Sequence, residues 1–92
     1  MTEAVRREVT IVNKLGLHAR AAAKFVTLAS QFQSEIQLTK DNRHANAKSI
    51  MGVMMLAAGR GASIEIEAVG ADSQQAVEEL EMLIRNRFGE PE

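Results

Sequence analysis

At 92 residues, 46% hydrophobic and 25% charged, the chain fits one domain with a modest core and little volume for a deep substrate cavity. Its 11 basic residues stand against 12 acidic, a formal charge of -1 that supplies no net attraction to nucleic acid or to an anionic membrane. The absence of cysteine removes disulfide and thiolate chemistry, and no apolar run reaches the ~18 residues a membrane span needs.

The start, Met1-Thr2-Glu3-Ala4-Val5-Arg6-Arg7, carries an early acid and no apolar stretch behind it. No signal peptide is expected, and the cytoplasm is the default location. Val5, Val9 and Ile11 fall on one face of a period-two pattern, which predicts a strand over residues 5 to 12. Asn13-Lys14-Leu15-Gly16 breaks it. Helix formers follow from Ala19 to Gln33, with Phe25, Leu28, Ala29 and Phe32 as the apolar stripe. Ile36 and Leu38 alternate with polar residues in a second strand, and the turn signal Asp41-Asn42 leads to a short third strand over His44 to Lys48.

Ser49 to Ala58 has a serine start and a glycine stop at Gly59, which suits a short helix. Ile64 and Ile66 mark a fourth strand. Asp72 and Gln75 have the spacing of a capping pair, and Val77, Leu80, Leu83, Ile84 and Phe88 form the stripe of a last helix. Residues 89–92 are expected to fray. The order strand, helix, strand, strand, helix, strand, helix predicts an α+β domain over residues 1–92: a four-stranded antiparallel sheet with helices on one face.

Leu15-Gly16-Leu17-His18-Ala19-Arg20 delivers a histidine to the start of a helix. A helix start has unpaired N–H groups and partial positive charge, so it favours an anion. Arg20 adds a permanently charged donor suited to phosphate oxygens. Neutral imidazole is a nucleophile. The three together describe a place for a phosphorylated imidazole, although a histidine at such a position is more often a surface or capping residue. No second histidine lies near His18, and His44 is expected on the exposed side of a strand, so no metal site is expected.

In Lys48-Ser49-Ile50-Met51-Gly52-Val53-Met54-Met55, Ser49 fits an N-cap. A phosphate there would sit on a helix N-terminus, where its charge is favoured. Gly52 costs about 1 kcal/mol relative to Ala in a helix and points to a close neighbour. Ile50, Met51, Met54 and Met55 are too many to bury beneath so short a helix, so exposed members would make an adaptable contact surface.

Both segments resemble HPr, the histidine-containing phosphocarrier family of the bacterial phosphoenolpyruvate-dependent phosphotransferase system. Gly16-Leu17-His18-Ala19-Arg20 is similar to its active-site signature, and Lys48-Ser49-Ile50-Met51-Gly52-Val53-Met54 to its regulatory-serine signature. The resemblance implies an open-faced β-sandwich with the order βαββαβα and three helices on one face of the sheet. It implies a carrier without a cofactor rather than an enzyme, with His18 taking a phosphoryl group on Nδ1 from enzyme I and passing it to an enzyme IIA domain. Arg20 would steady that group, Leu17, Ile50, Met51 and Met54 would belong to the docking surface, and Ser49 would be the target of an HPr kinase/phosphorylase. A carrier role favours a monomer. Ala21 stands where the family usually has proline, so a less rigid start of the helix is expected with the site intact. The sugar-transport and nitrogen-regulatory branches both fit.

Two other classes carry less of the pattern. A nucleic-acid-binding α/β sandwich would present aromatics on its sheet, whereas all three Phe are expected on helix stripes. For a hydrolase using His18 and Ser49, the sequence offers no obvious third group to orient the histidine, and Ser49 has a sufficient role as a cap.

Overall fold

Each strand is apolar on one side only, and that alternation fixes how the sheet lies against its helices. The computed structural model describes residues 3–92. The reading of the first residues as lacking a signal peptide rests partly on Met1 and Thr2, which lie outside them.

The elements run β1 (Val5–Thr10), α1 (Ala19–Ala29), β2 (Glu35–Lys40), β3 (Arg43–Asn46), α2 (Ile50–Met55), β4 (Ser63–Val69) and α3 (Ser73–Arg85), ending in a 3-10 turn at Arg87–Gly89. The sheet has the order β1-β4-β2-β3 and is antiparallel throughout. Val9 pairs with Ile64, and Leu38 lies opposite both Ile66 and Ala45, so the inward rows stack in register. This is the expected α+β open-faced sandwich with the order βαββαβα.

Val9, Ile36, Leu38, Ile64 and Ile66 meet Phe25 of α1, Val53 of α2, and Val77, Leu80 and Ile84 of α3 in one core. Full burial of such a side chain contributes about 1.5–3 kcal/mol. The other sheet face is polar. There Arg6 pairs with Glu67 at 2.7 Å, and His44 Nδ1 lies 2.9 Å from Thr39 Oγ1 and 3.0 Å from Gln37 Nε2. Arg7, on the covered side at the sheet edge, pairs with Glu81 of α3.

Several local expectations change: α2 stops at Met55, with Ala57 at φ 52, before the expected end at Ala58, and β3 spans Arg43–Asn46 rather than His44 to Lys48. Helix α1 ends at Ala29 rather than Gln33, because the Gln31 and Phe32 amides donate three residues back, to Leu28 and Ala29. This tighter turn still buries Phe32, but from beyond the helix. Phe88 also lies off its expected helix. Arg87 and Phe88 adopt φ of 57° and 54°, and this left-handed reversal carries the Phe88 ring back into the core. Of the three Phe, then, only Phe25 is on a helix stripe.

Asp72 precedes α3, but its side chain does not cap that helix. It accepts from the Gln33 and Ser34 amides at 2.9 and 3.0 Å and from Ser34 Oγ at 2.5 Å. The Asp72 carboxylate thus serves buried Ser34 instead of the start of α3. Finally, the stretch expected to fray folds back instead: the Lys14 amide donates to the Glu92 carbonyl at 3.2 Å, and Glu90 reaches residues 13 and 18.

Candidate functional site

The loop between β1 and α1 is held on both sides. The Ile11 amide donates to the Ala62 carbonyl, the Gly61 amide to the Ile11 carbonyl, and the Leu17 amide to the Ala58 carbonyl at 2.9 Å. Gly16 has φ +66, and a Cβ on it would lie 2.6 Å from the Ala58 carbonyl oxygen. Glycine is therefore required twice, by conformation and by space. Asn13 is fully buried, and its Nδ2 donates to the Gly16 carbonyl at 2.9 Å.

With the loop so fixed, consecutive side chains diverge. Leu17 turns inward and is 5% exposed. This corrects the expectation that it contributes to a docking surface: its apolar side chain anchors the loop in the core. His18 faces outward as the N-cap of α1, 28% exposed in its side chain. Its carbonyl accepts from the Ala22 amide at 2.8 Å, but its ring does not cap the helix. The first-turn amides of Ala19, Arg20 and Ala21 precede the first intrahelical bond, so they are the donors a helix start offers an anion.

His18 Nε2 lies 2.5 Å from Glu90 Oε2, and the other oxygen of Glu90 accepts from Asn13 Nδ2 at 3.0 Å. The hydrogen bond from Asn13, and then that from His18, hold the Glu90 carboxyl below its usual range against the opposing effect of burial. An ionised carboxylate only accepts, so the ring donates from Nε2. In the neutral imidazole the lone pair is then on Nδ1, which has no protein hydrogen-bond partner among the described residues. Arg20 is exposed and makes no ion pair among the described residues. A surface groove of about 600 Å³ joins His18 and Arg20 to Lys14, Glu90 and Pro91.

His18 and Arg20, expected together from the sequence, line this one groove; the contacts that Asn13 and Glu90 make around it are ones a turn residue and a tail residue do not announce. The Asn13-to-Gly16 spacing and the reversal signals Gly89 and Pro91 were the available clues.

Ser49 is the N-cap of α2 as expected, and its Oγ accepts from the Gly52 amide at 3.1 Å. A Cβ on Gly52 would lie 3.3 Å from that oxygen, so the close neighbour of Gly52 is the cap itself. Only Val53 of α2 is buried. Ile50, Met51, Met54 and Met55 are exposed, and α2 packs beside α1 and β3. Among the described residues, no three His, Asp or Glu side chains gather as metal ligands, and no helix is long and apolar enough to cross a membrane.

The family model described as the PTS HPr component phosphorylation site matches residues 5–86. The phosphocarrier protein HPr of Cupriavidus necator is 53% identical over 88 residues, covering 96% of this chain and 99% of that protein. The HPr of Neisseria meningitidis serogroup A is 52% identical over 88 residues, with the same coverage. The crystal structure of HPr from Thermoanaerobacter tengcongensis superposes with a TM-score of 0.92 at 45% identity, covering 96% of this chain and 99% of that one.

Proposed function

Because the chain belongs to the HPr family and is thus a phosphocarrier of the phosphotransferase system, we propose that His18 is the residue that carries the phosphoryl group, on Nδ1. The observation behind this is the ring's geometry. Nε2 is committed to Glu90, while Nδ1 is left to react beside the start of α1. Arg20 opens onto the same groove and supplies a guanidinium to the phosphoryl oxygens.

The donor is enzyme I and the acceptor an enzyme IIA domain. Two partners must reach one imidazole in turn, which a shallow groove permits and a closed cavity would not. The partners supply much of the alignment and of the charge stabilisation in the transition state. The chain is a recyclable substrate rather than a stand-alone catalyst, works as a single copy in the cytoplasm, and needs no cofactor of its own. Ile50, Met51 and Met54 form the docking face, and Ser49 at its edge is the phosphorylation target of an HPr kinase/phosphorylase.

The two other classes find no support. All three Phe are buried rather than displayed on the open sheet face. Ser49 Oγ is occupied as a cap, and His18 Nε2 faces a carboxylate rather than a serine.

Incubation with enzyme I, phosphoenolpyruvate and magnesium is expected to add one acid-labile phosphoryl group to the wild-type chain and none to His18→Ala. The same modification on His18→Ala would sink the assignment. Arg20→Ala is expected to keep its fold and to slow transfer by roughly tenfold to a hundredfold, as for loss of one hydrogen bond to a charged group, worth about 1.5–3 kcal/mol.

A further inference from the structure

We propose that Glu90 is a positioning residue for His18: by accepting Nε2–H it fixes the tautomer whose nucleophile is Nδ1, and it keeps that proton on the ring while the phosphoryl group is carried. This rests on His18 being the acceptor.

The placement of Glu90 is built rather than incidental. The left-handed pair Arg87 and Phe88 turns the chain back, the buried Phe88 ring pins the turn, and Lys24 Nζ donates to the Phe88 carbonyl at 2.7 Å. Beyond the turn, the Glu90 carboxylate is held at both oxygens, by buried Asn13 and by His18, and only 13% of its side chain is exposed. The same Asn13 amide nitrogen also holds the Gly16 carbonyl, so one side chain fixes both the loop that carries the histidine and the carboxylate that orients it. The other charged groups around the groove are Lys14, Arg20 and Glu92, with Lys24 behind the turn.

The chemistry follows from where the ring proton sits. In the forward step the Nδ1 lone pair attacks the phosphorus of the donor phosphoprotein. The N–P bond forms, and the donor's bond to phosphorus breaks with its electron pair returning to the donor. The Nε2 proton stays in the hydrogen bond to Glu90, whose negative charge balances the positive charge the ring acquires. In the onward step the N–P electron pair returns to Nδ1 as the acceptor protein takes the phosphoryl group. The ring then leaves as neutral imidazole rather than as imidazolate, a far poorer leaving group. The proton never departs, and no reactant beyond donor and acceptor is needed. An aligned carboxylate performs the same orienting service for the histidine of hydrolytic triads.

The test uses the full chain labelled with 15N, as wild type, Glu90→Ala and Glu90→Gln. Ring 15N spectra of the unphosphorylated proteins at neutral pH are expected to show the Nε2–H tautomer in wild type and a mixture of tautomers in Glu90→Ala. Glu90→Gln retains an oxygen acceptor and is expected to keep the wild-type tautomer. Single-turnover transfer from each phosphorylated chain to an enzyme IIA domain is expected to slow by about tenfold in Glu90→Ala, and by less in Glu90→Gln. Identical ring spectra and rates in wild type and Glu90→Ala would overturn the inference. So would slower transfer with an unchanged ring spectrum, because Glu90 would then act through docking. If wild type itself gains no phosphoryl group on His18, the acceptor reading fails first and takes the inference with it, whereas labelling of wild type with no effect of either Glu90 variant removes the inference alone.

Discussion

Gly16 and Ala58 meet backbone to backbone, close enough that a single added methyl group at Gly16 would lie 2.6 Å from the Ala58 carbonyl oxygen. The contact fixes the loop that presents His18, and it cannot relax by a side-chain rotation. Gly16→Ala is expected to destabilise the domain by about 3 kcal/mol, from the left-handed φ together with the clash. Denaturant unfolding measures the loss. Transfer should also slow under conditions where the variant remains folded, since His18 is two residues away.

Leu17 and Met51 should separate cleanly, although both were expected on one docking surface. Leu17 is buried, so Leu17→Ala is expected to cost about 2–5 kcal/mol of stability. Met51 is 68% exposed, so Met51→Ala should change stability by no more than about 0.5 kcal/mol. It should instead weaken association with enzyme I, by roughly fivefold. Thermal melts and titration calorimetry on the two variants check both halves.

At Ser49 the effect of the cap and the effect of added charge can be measured separately. Ser49→Ala removes the acceptor for the Gly52 amide and is expected to cost about 1 kcal/mol. Ser49→Asp keeps a capping side chain, so its stability should stay near wild type. It also places a negative charge beside exposed Ile50, Met51 and Met54. Association with enzyme I should weaken by roughly tenfold; an unchanged affinity would remove charge at Ser49 as a means of control.

Asp72 makes stability depend on acid. Its hydrogen bonds, first that from Ser34 Oγ and then that from the Gln33 amide, hold its pKa below the ordinary 3.8. A carboxyl depressed in the folded state contributes stability above its unfolded value, and that contribution is lost as pH falls through the folded value. Wild type should therefore lose stability as pH drops below about 3.8 more steeply than Asp72→Asn, which has no proton to gain there. Urea midpoints across the acid range would show the difference in slope.

The sheet and its helices were legible because their signals are local. Ile36 with Leu38, and Ile64 with Ile66, announce one-sided strands, and Ser49 announces a helix start wherever the rest of the chain lies. His18 and Arg20 were legible for the same reason, as a histidine and an arginine at the start of a helix. Leu17 was misplaced because the pattern near a loop does not say which of three consecutive residues turns inward. That depends on Gly16 being pressed against Ala58. Asn13, Glu90 and Asp72 escaped because each acts on a residue brought near by the fold: Asn13 lies 77 positions from Glu90, and Asp72 38 from Ser34. No periodicity encodes such a meeting.

His18 and Glu90 are 72 positions apart, so their contact closes a loop of most of the chain. Local helices and hairpins assemble early at small entropic cost, whereas a closure of this span comes only once the intervening elements have docked. Readiness for chemistry is therefore coupled to completion of folding: an intermediate with α1 already formed would display the histidine before its ring had been oriented. The same span makes the contact a gauge of native topology, because local opening of residues 86–92 would undo it while the sheet remained intact.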